Sequence, residues 1–280
     1  MKLVVTGAGG GLGKAFLALL GEGHEVHTFT HGQLDVADHE AVQAAVVPVE
    51  PDVVFHFAAM TSVDGCETEP AGAVGTNVAG TFNVAVAARR TGALLVALST
   101  DYVFDGEKGE PYDERDEPRP LASVYAWTKL AGERAAQSVG PDLLIVRTAW
   151  VFGAGNDFVS QAVRRLAAGE DVGAIVDQSG TPTHVAELAE RLMPLVDAGL
   201  RGVVHLVGPE VTTWYDVLRR ARDLGDLPGT VHQQKAGELD RPAPRPANSA
   251  LTSVVLPGTA VPPMPPLKDS LRRVLTDVGV

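Results

Sequence analysis

Cysteine is nearly missing from this sequence: among 280 residues, Cys66 carries the one thiol. A single thiol closes no disulfide within the chain and builds no cysteine-based metal site. That usage fits a reducing cytoplasm. Cys66 lies in no motif and reads as incidental. Positive charge is in deficit, with 23 Lys and Arg against 35 Asp and Glu and a formal net charge of -12. An acidic surface is a poor partner for a nucleic-acid backbone, which argues against nucleic-acid binding. The charges are scattered and not gathered in blocks, as on a solvated surface. No apolar run reaches the roughly eighteen residues that a membrane-spanning helix needs. The run after Lys2 is too short for a signal peptide. No internal repeat is present.

What remains is a chain with an ordinary hydrophobic content of 45%, long enough for one large domain or two closely joined ones. Leu3-Val4-Val5 is followed by Thr6-Gly7-Ala8-Gly9-Gly10-Gly11-Leu12-Gly13, and Lys14 to Leu20 reads as a helix. Strand, glycine turn and helix in that order make a dinucleotide site. Glycines at 7, 10 and 13 allow a tight turn, close approach of a pyrophosphate and close packing of helix on strand. The helix start then offers free N–H groups to the phosphates.

Glu25 to Thr30 reads as a second strand, and Gln33-Leu34-Asp35-Val36 as the end of a short third one. The end of the second strand, Thr28 to Gly32, has no acid to bind a ribose 2′-hydroxyl. A 2′-phosphate is not repelled there, and His31 is placed to contact it. This favours NADPH, with NADH left open. His39 to Val47 reads as a helix. Asp52 to Ala59 is a near-continuous apolar run, the pattern of a strand buried on both faces, and His56 within it reads as a packed core histidine. Thr76 to Arg90 reads as a helix and Leu94 to Leu98 as a strand, which runs out into Ser99-Thr100-Asp101-Tyr102. Ligand crevices in open α/β sheets lie at such strand ends.

Tyr125 and Lys129, in Ser123-Val124-Tyr125-Ala126-Trp127-Thr128-Lys129, are spaced to share one face of a helix. A neighbouring ammonium favours a phenolate. Lowering the phenol pKa by about three units corresponds to roughly 4 kcal/mol. Such a pair can move a proton near neutral pH. Leu143 to Arg147 is the next strand. Alternation of strands and helices from residue 1 to 150 defines an α/β fold, a Rossmann-type doubly wound parallel sheet. Residues 151-280 form mainly a smaller C-terminal substrate-binding domain, with elements from about 172 to 207 returning to the first sheet. Val159 to Ala168, Val185 to Val196, Asp216 to Leu224 and Asp269 to Leu275 read as helices, and Val203 to Val207 as a strand. The proline-rich stretch Arg241 to Pro266 should cross the surface as extended chain.

Taken together, these runs resemble the extended short-chain dehydrogenase/reductases, over nearly the whole length. Within that family the likeness is to the reductases of nucleotide-linked 4-keto sugars. It is carried by Thr6-Gly7-x-x-Gly10-x-x-Gly13, Tyr125-x-x-x-Lys129, Asn77-Val78-x-Gly80-Thr81 and Ser99 to Gly106. Arg147 to Gly153, Asp177 to Thr183 and Arg245-Pro246-Ala247-Asn248-Ser249 extend it. The resemblance implies a proton from Tyr125 to a ketone oxygen as hydride arrives at its carbon. It implies that Lys129 lowers the Tyr125 pKa and holds the nicotinamide ribose, and that Thr100 hydrogen-bonds the substrate oxygen. Asp101 and Trp150 would line the sugar pocket beside Thr100. Gly7, Gly10, Gly11, Leu12, Gly13, Asp35, Val36, Ala58, Ala59, Met60 and Thr61 would contact the cofactor, with Tyr125 and Lys129.

Some family members place a metal-holding glutamate shortly after the last glycine. Here Lys14-Ala15 stands there, so no metal is expected, and a homodimer is left open. Two other readings compete. A nucleotide-sugar 4,6-dehydratase carries a glutamate directly after the aspartate of its Ser-Thr-Asp run, where this chain has Tyr102; an epimerase belongs to the same group. A non-catalytic regulatory subunit, similar to that of methionine adenosyltransferase, keeps the same fold.

Overall fold

In the computed structural model, which describes residues 1–280, β1 (Lys2–Thr6) turns through the glycines into α1 (Gly11–Leu19). β2 (Glu25–Phe29), α2 (His39–Val46) and β3 (Val53–His56) follow. Next come α3 (Val63–Thr68), the single turn α4 (Pro70–Ala73), and a π-helical stretch, Val74–Gly80, that continues as α5 (Thr81–Thr91). β4 (Leu94–Thr100), α6 (Val124–Val139) and β5 (Asp142–Thr148) complete the first half. The second half holds β6 (Val151–Phe152), α7 (Phe158–Ala167), β7 (Val172–Ile175), β8 (Thr183–His184) and α8 (Val185–Asp197). β9 (Gly202–His205), α9 (Trp214–Gly225), β10 (Val231–Gln234) and α10 (Leu267–Val278) finish it. No helix is long and apolar enough to cross a membrane.

Six strands form one parallel sheet in the order β2-β1-β3-β4-β5-β9. Successive strand residues point to opposite faces. Leu3, Val5, Phe55, Val96, Leu144 and Val204 therefore pack with Phe16 of α1 and Leu188, Leu192 and Leu195 of α8. Val4, Val54 and Leu95 pack on the other side with Val42 of α2, Val84 of α5 and Ala136 of α6. Full burial of each such side chain is worth about 1.5–3 kcal/mol, so two covered faces fix the register firmly.

Gln33 to Val36 is not a third strand. The Gln33 and Leu34 N–H groups fold back onto Thr30 O, at 3.0 and 3.0 Å. The Asn83 side chain takes the Val36 carbonyl at 3.0 Å. Leu34 and Val36 still bury their side chains, in the α2/α5 cluster, without pairing to β2. β2 is consequently the edge strand, and the sheet order reverses between β1 and β3.

The second half packs its own cluster, where α7, α9 and α10 meet through Val163, Leu166, Leu218, Leu271 and Val274. β7 pairs with β10 there, in parallel. Of the elements between about 172 and 207, α8 and β9 return to the first sheet, while β7 stays out. The stretch 241–266 has no helix or strand. It is pinned to α3 by Arg245, whose Nη1 and Nη2 donate to Asp64 Oδ1 and Oδ2 at 2.7 and 2.7 Å.

Candidate active site

The glycine turn places backbone where a side chain would collide. Gly7 has φ +70°, and a Cβ there would come within 2.5 Å of Ala58 N. A Cβ on Gly13 would meet Gly7 O at 2.5 Å. The turn thus presses on the end of β3, and α1 presses on the turn. Gly10 and Gly11 are less crowded by backbone; a Cβ on Gly11 would meet the Ala154 side chain at 2.7 Å. The N–H groups in the first turn of α1, Gly11 to Gly13, have no partner within the helix. Leu12 turns its side chain into the core, so its backbone is what faces the turn.

A cleft of about 410 Å³ opens here, lined by Gly7, Gly10, Thr30, His31, Val36, Ala58 and Ala59 among others. Of the residues expected around a dinucleotide, Gly7, Gly10, Val36, Ala58 and Ala59 line it, while Gly11, Leu12, Gly13, Met60, Tyr125 and Lys129 do not. Asp35 is not among the lining residues; its Oδ1 accepts the Ala37 N–H at 2.9 Å on the exposed side of the turn. Thr61 is exposed and also outside the cleft lining. Met60 is held by a residue not expected in the site. Asn77 Oδ1 accepts the Met60 N–H at 2.8 Å, and Asn77 Nδ2 donates to Met60 O at 3.1 Å. Asn77 sits in the π-helical stretch, 1% exposed. Its own carbonyl lies so close to α6 that a Cβ on Gly132 would approach it to 2.3 Å. His56 is a core histidine as expected, bonded to the Thr6 and Thr81 hydroxyls at 2.7 and 3.2 Å. Burial pushes it down to about 3.

At the end of β4 the second group assembles. Ser123 caps α6 by accepting the Ala126 N–H at 3.1 Å, and that cap sets the direction of the helix. Tyr125 and Lys129 then face inward, 8% and 9% exposed. Tyr125 meets Tyr102 edge-on, with ring centroids 5.5 Å apart. Thr100 Oγ1 donates to Asp101 Oδ1 at 2.9 Å. Lys129 Nζ donates to Leu98 O at 2.7 Å.

The expected lowering of the Tyr125 pKa by Lys129 is not what this arrangement gives. Burial pushes the phenol well above its ordinary value, the Thr100 hydroxyl opposes, and the Asp101 charge adds to the rise. Lys129 is itself pulled down to about 8 by burial, against the charge of Glu133. Its ammonium is spent on a backbone carbonyl rather than on the phenol. Asp101 is pushed up to about 6 by burial, with the Ser249 and Thr100 hydroxyls drawing it back.

Trp150 follows β5 with φ +47°, a left-handed conformation that costs a bulky residue energy. The surroundings hold it there. Its ring stacks on Trp214 at 4.1 Å and lies against Gly180, where a Cβ would come within 2.2 Å of Trp150 Cε2. Its Nε1–H donates to Ser249 Oγ at 3.1 Å. Three buried polar atoms at these strand ends have no protein partner: Ser99 Oγ, Asp101 Oδ2 and Thr148 Oγ1. Sheltered polar atoms without partners are what a polar ligand would satisfy. A larger cavity of about 450 Å³ lies between the end of β9 and residues 251–264, and no expected site residue lines it. Sequence reading missed Asn77, Trp214 and Ser249 as site residues. Asn77 and Ser249 stood inside the quoted runs, but a buried polar residue shows its purpose only through distant partners.

A parallel dinucleotide fold with Thr100, Tyr125 and Lys129 gathered at its strand ends defines an oxidoreductase of the short-chain dehydrogenase/reductase class. The chain belongs to the dTDP-4-dehydrorhamnose reductase family. A family model described as the RmlD substrate binding domain matches residues 1–280. A dTDP-4-dehydrorhamnose reductase of Mycobacterium tuberculosis is 43% identical over 262 residues, covering 90% of this chain and 85% of that protein. One from Streptomyces griseus is 44% identical over 260 residues, covering 89% and 85%. The crystal structure of a dTDP-4-dehydrorhamnose reductase from Clostridium acetobutylicum superposes with a TM-score of 0.95 at 35% identity, covering 100% of both chains. That of Bacillus anthracis, solved in complex with NADP, has a TM-score of 0.94 at 32% identity, covering 99% of each.

Proposed function

We propose that the protein reduces the C4 ketone of dTDP-4-dehydro-L-rhamnose to dTDP-L-rhamnose with NADPH. The observation that carries this reading is the Thr100, Tyr125 and Lys129 group at the strand ends of a dinucleotide sheet in this family. The cofactor fits the residues present. The Gly7 turn has no room for a side chain, the α1 amides are free for phosphate, and Thr30, His31 and Gly32 place no carboxylate in the cleft. When bound, NADPH supplies the hydride. Tyr125, kept protonated by burial, gives its proton to the oxygen on which negative charge builds. Thr100 turns its hydroxyl from Asp101 to that same oxygen and steadies the charge. Lys129 holds the ribose and restores polarity behind the phenol. Asp101 and Trp150 shape the sugar side.

The test is oxidation of NADPH and NADH, followed in the spectrophotometer with the enzymatically generated 4-keto sugar, beside a fluorescence titration of both cofactors. NADPH should be oxidised and should bind at least as well as NADH. No oxidation of either by the purified chain moves the reading to a regulatory subunit. A strong preference for NADH means that another residue reads the ribose.

Thr100→Val is expected to lower kcat by roughly a hundredfold or more, the scale for removing one donor from a developing oxyanion. NADPH affinity should change little, because Thr100 does not line the cleft. An unchanged kcat makes Thr100 a turn residue that caps the Tyr102 N–H at 3.3 Å and nothing more.

A further inference from the structure

The proton donor of the reduction stands in the part of its helix that holds itself least well. Tyr125 is the second residue of α6, and the first-turn amides of a helix have no partners within it. Two side chains take up such amides here. Ser123 accepts the Ala126 N–H at 3.1 Å, but Ser123 belongs to the same turn and moves with it. Glu67 does not. It comes from α3, 57 residues before Val124, and its Oε1 accepts the Val124 N–H at 2.7 Å. The helix dipole favours a carboxylate at that end. Val124 directly precedes Tyr125, so this bond fixes the backbone from which the phenol extends.

α3 is a firm base for such a contact, because it is itself held on several sides. It follows closely on Ala58, Ala59 and Met60 at the end of β3, and Asn77 grips both backbone groups of Met60. Ser62 caps α3 by accepting the Gly65 N–H at 3.1 Å. Arg245 clasps Asp64 from the far end of the chain. Cys66, beside Glu67, is fully buried in one small apolar cluster with Tyr125, against which Met60, Val63 and Val124 pack. The precision matters for the chemistry. A misplacement of about 1 Å in a reacting group costs on the order of a hundredfold in rate.

We propose that Glu67 is a positioning residue: its hydrogen bond to the Val124 amide sets the first turn of α6 against α3 and so holds the Tyr125 hydroxyl where the ketone oxygen takes up its proton. The proposal rests on the reductase reading. It assigns Glu67 an effect on the chemical step, exerted through Tyr125. It assigns no effect on cofactor binding, since Glu67 does not line the dinucleotide cleft. An amide oxygen accepts a hydrogen bond as a carboxylate oxygen does, so the role lies in the bond and survives loss of the charge.

The experiment compares Glu67→Ala, Glu67→Gln and Asp38→Ala in the full chain, with Glu67→Ala repeated in the Tyr125→Phe background. Asp38 caps α2 by accepting the Ala41 N–H at 3.0 Å, so its removal is a loss of the same kind away from Tyr125. Both alanine variants should lower the melting temperature by a similar amount, roughly 1–8 °C. Glu67→Ala should lower kcat roughly ten- to hundredfold. Its NADPH dissociation constant and its KM for the sugar should stay within about threefold, the pattern of a loss confined to the transition state. Glu67→Gln should keep kcat within about threefold of wild type, because its amide oxygen still accepts. Asp38→Ala should keep the wild-type kcat. In the Tyr125→Phe background, Glu67→Ala should change kcat by less than about twofold, the non-additivity expected of residues that act through one another. Fluorine NMR of the chain labelled with fluorotyrosine at its four tyrosines gives a readout apart from activity. The Tyr125 signal, assigned by its absence in Tyr125→Phe, should move or broaden in Glu67→Ala and not in Asp38→Ala. Wild-type kcat in Glu67→Ala, an equal loss in Asp38→Ala or in Glu67→Gln, a full further loss on top of Tyr125→Phe, or an unmoved Tyr125 signal overturns the proposal. A wild-type chain that reduces no 4-keto sugar overturns the reductase reading instead, and the Tyr125 signal still decides whether Glu67 sets the place of that side chain.

Discussion

Tyr125→Phe is expected to lower kcat by a factor on the order of a hundred to ten thousand, the usual range for a general acid. That corresponds to about 3–5 kcal/mol of lost transition-state stabilisation. Addition of hydride to a ketone builds charge on oxygen, and the alkoxide needs a proton as it forms. Burial holds the Tyr125 phenol in its protonated form across neutral pH. The side chain is therefore loaded as an acid, the state that ketone reduction requires. Phenylalanine keeps the ring and its edge contact with Tyr102, 5.5 Å between centroids. It removes only the hydroxyl. NADPH affinity should stay within a few-fold, because Lys129 and the glycine turn are untouched. Steady-state kinetics with a cofactor titration on a folded variant measure both. A near wild-type kcat places the donor elsewhere, and joint loss of binding and rate makes Tyr125 a wall of the pocket.

The second large effect lies beneath the site. Arg147 and Glu133 form a bidentate pair at 2.9 and 2.7 Å, with side chains 4% and 3% exposed. The guanidinium also lies 5.3 Å from the Phe104 ring centroid. Arg147→Met is expected to destabilise the protein by about 3–5 kcal/mol, because it leaves Glu133 charged, buried and unpaired. The melting temperature should fall by roughly 6–20 °C. Adding Glu133→Leu should regain most of that loss, since the cost lies in the orphaned charge and not in the missing pair. The same double variant should make Lys129 release its proton at lower pH, because the Glu133 charge opposes the downward pull of burial. Thermal melts decide the point. A loss under about 2 °C for Arg147→Met, against the several degrees that such a defect costs, would mean that Glu133 is protonated or solvated once its partner is gone.

The parallel sheet was legible because strands buried on both faces leave near-continuous apolar runs, as in Val53-Val54-Phe55 and Leu94 to Leu98. The glycine turn and the Tyr125–Lys129 spacing were legible because their chemistry is local. Gln33 to Val36 misled the reading for a physical reason. Leu34 and Val36 bury alternately, as a strand would, yet the carbonyl of Val36 goes to the Asn83 side chain. β10 escaped because only Val231 of its four residues is buried. The direction of the Tyr125 shift escaped because burial, a property of the whole fold, outweighs a neighbour that sequence spacing suggests. Ser249 and Asn77 escaped because their meaning lies in hydrogen bonds 99 and 17 residues away.

The clasp of Arg245 on Asp64 spans 181 residues, and this bears on how the protein comes into being. A chain emerging from the ribosome has β1 to β5, the glycine turn and the Tyr125–Lys129 pair once residue 148 is out. Synthesis proceeds at about 5–20 residues per second, so Ser249 follows roughly 5–20 seconds later. During that interval one face of the sheet waits for α8 to cover it, and nothing clasps Asp64. Products of premature termination before residue 245 stay without that clasp permanently.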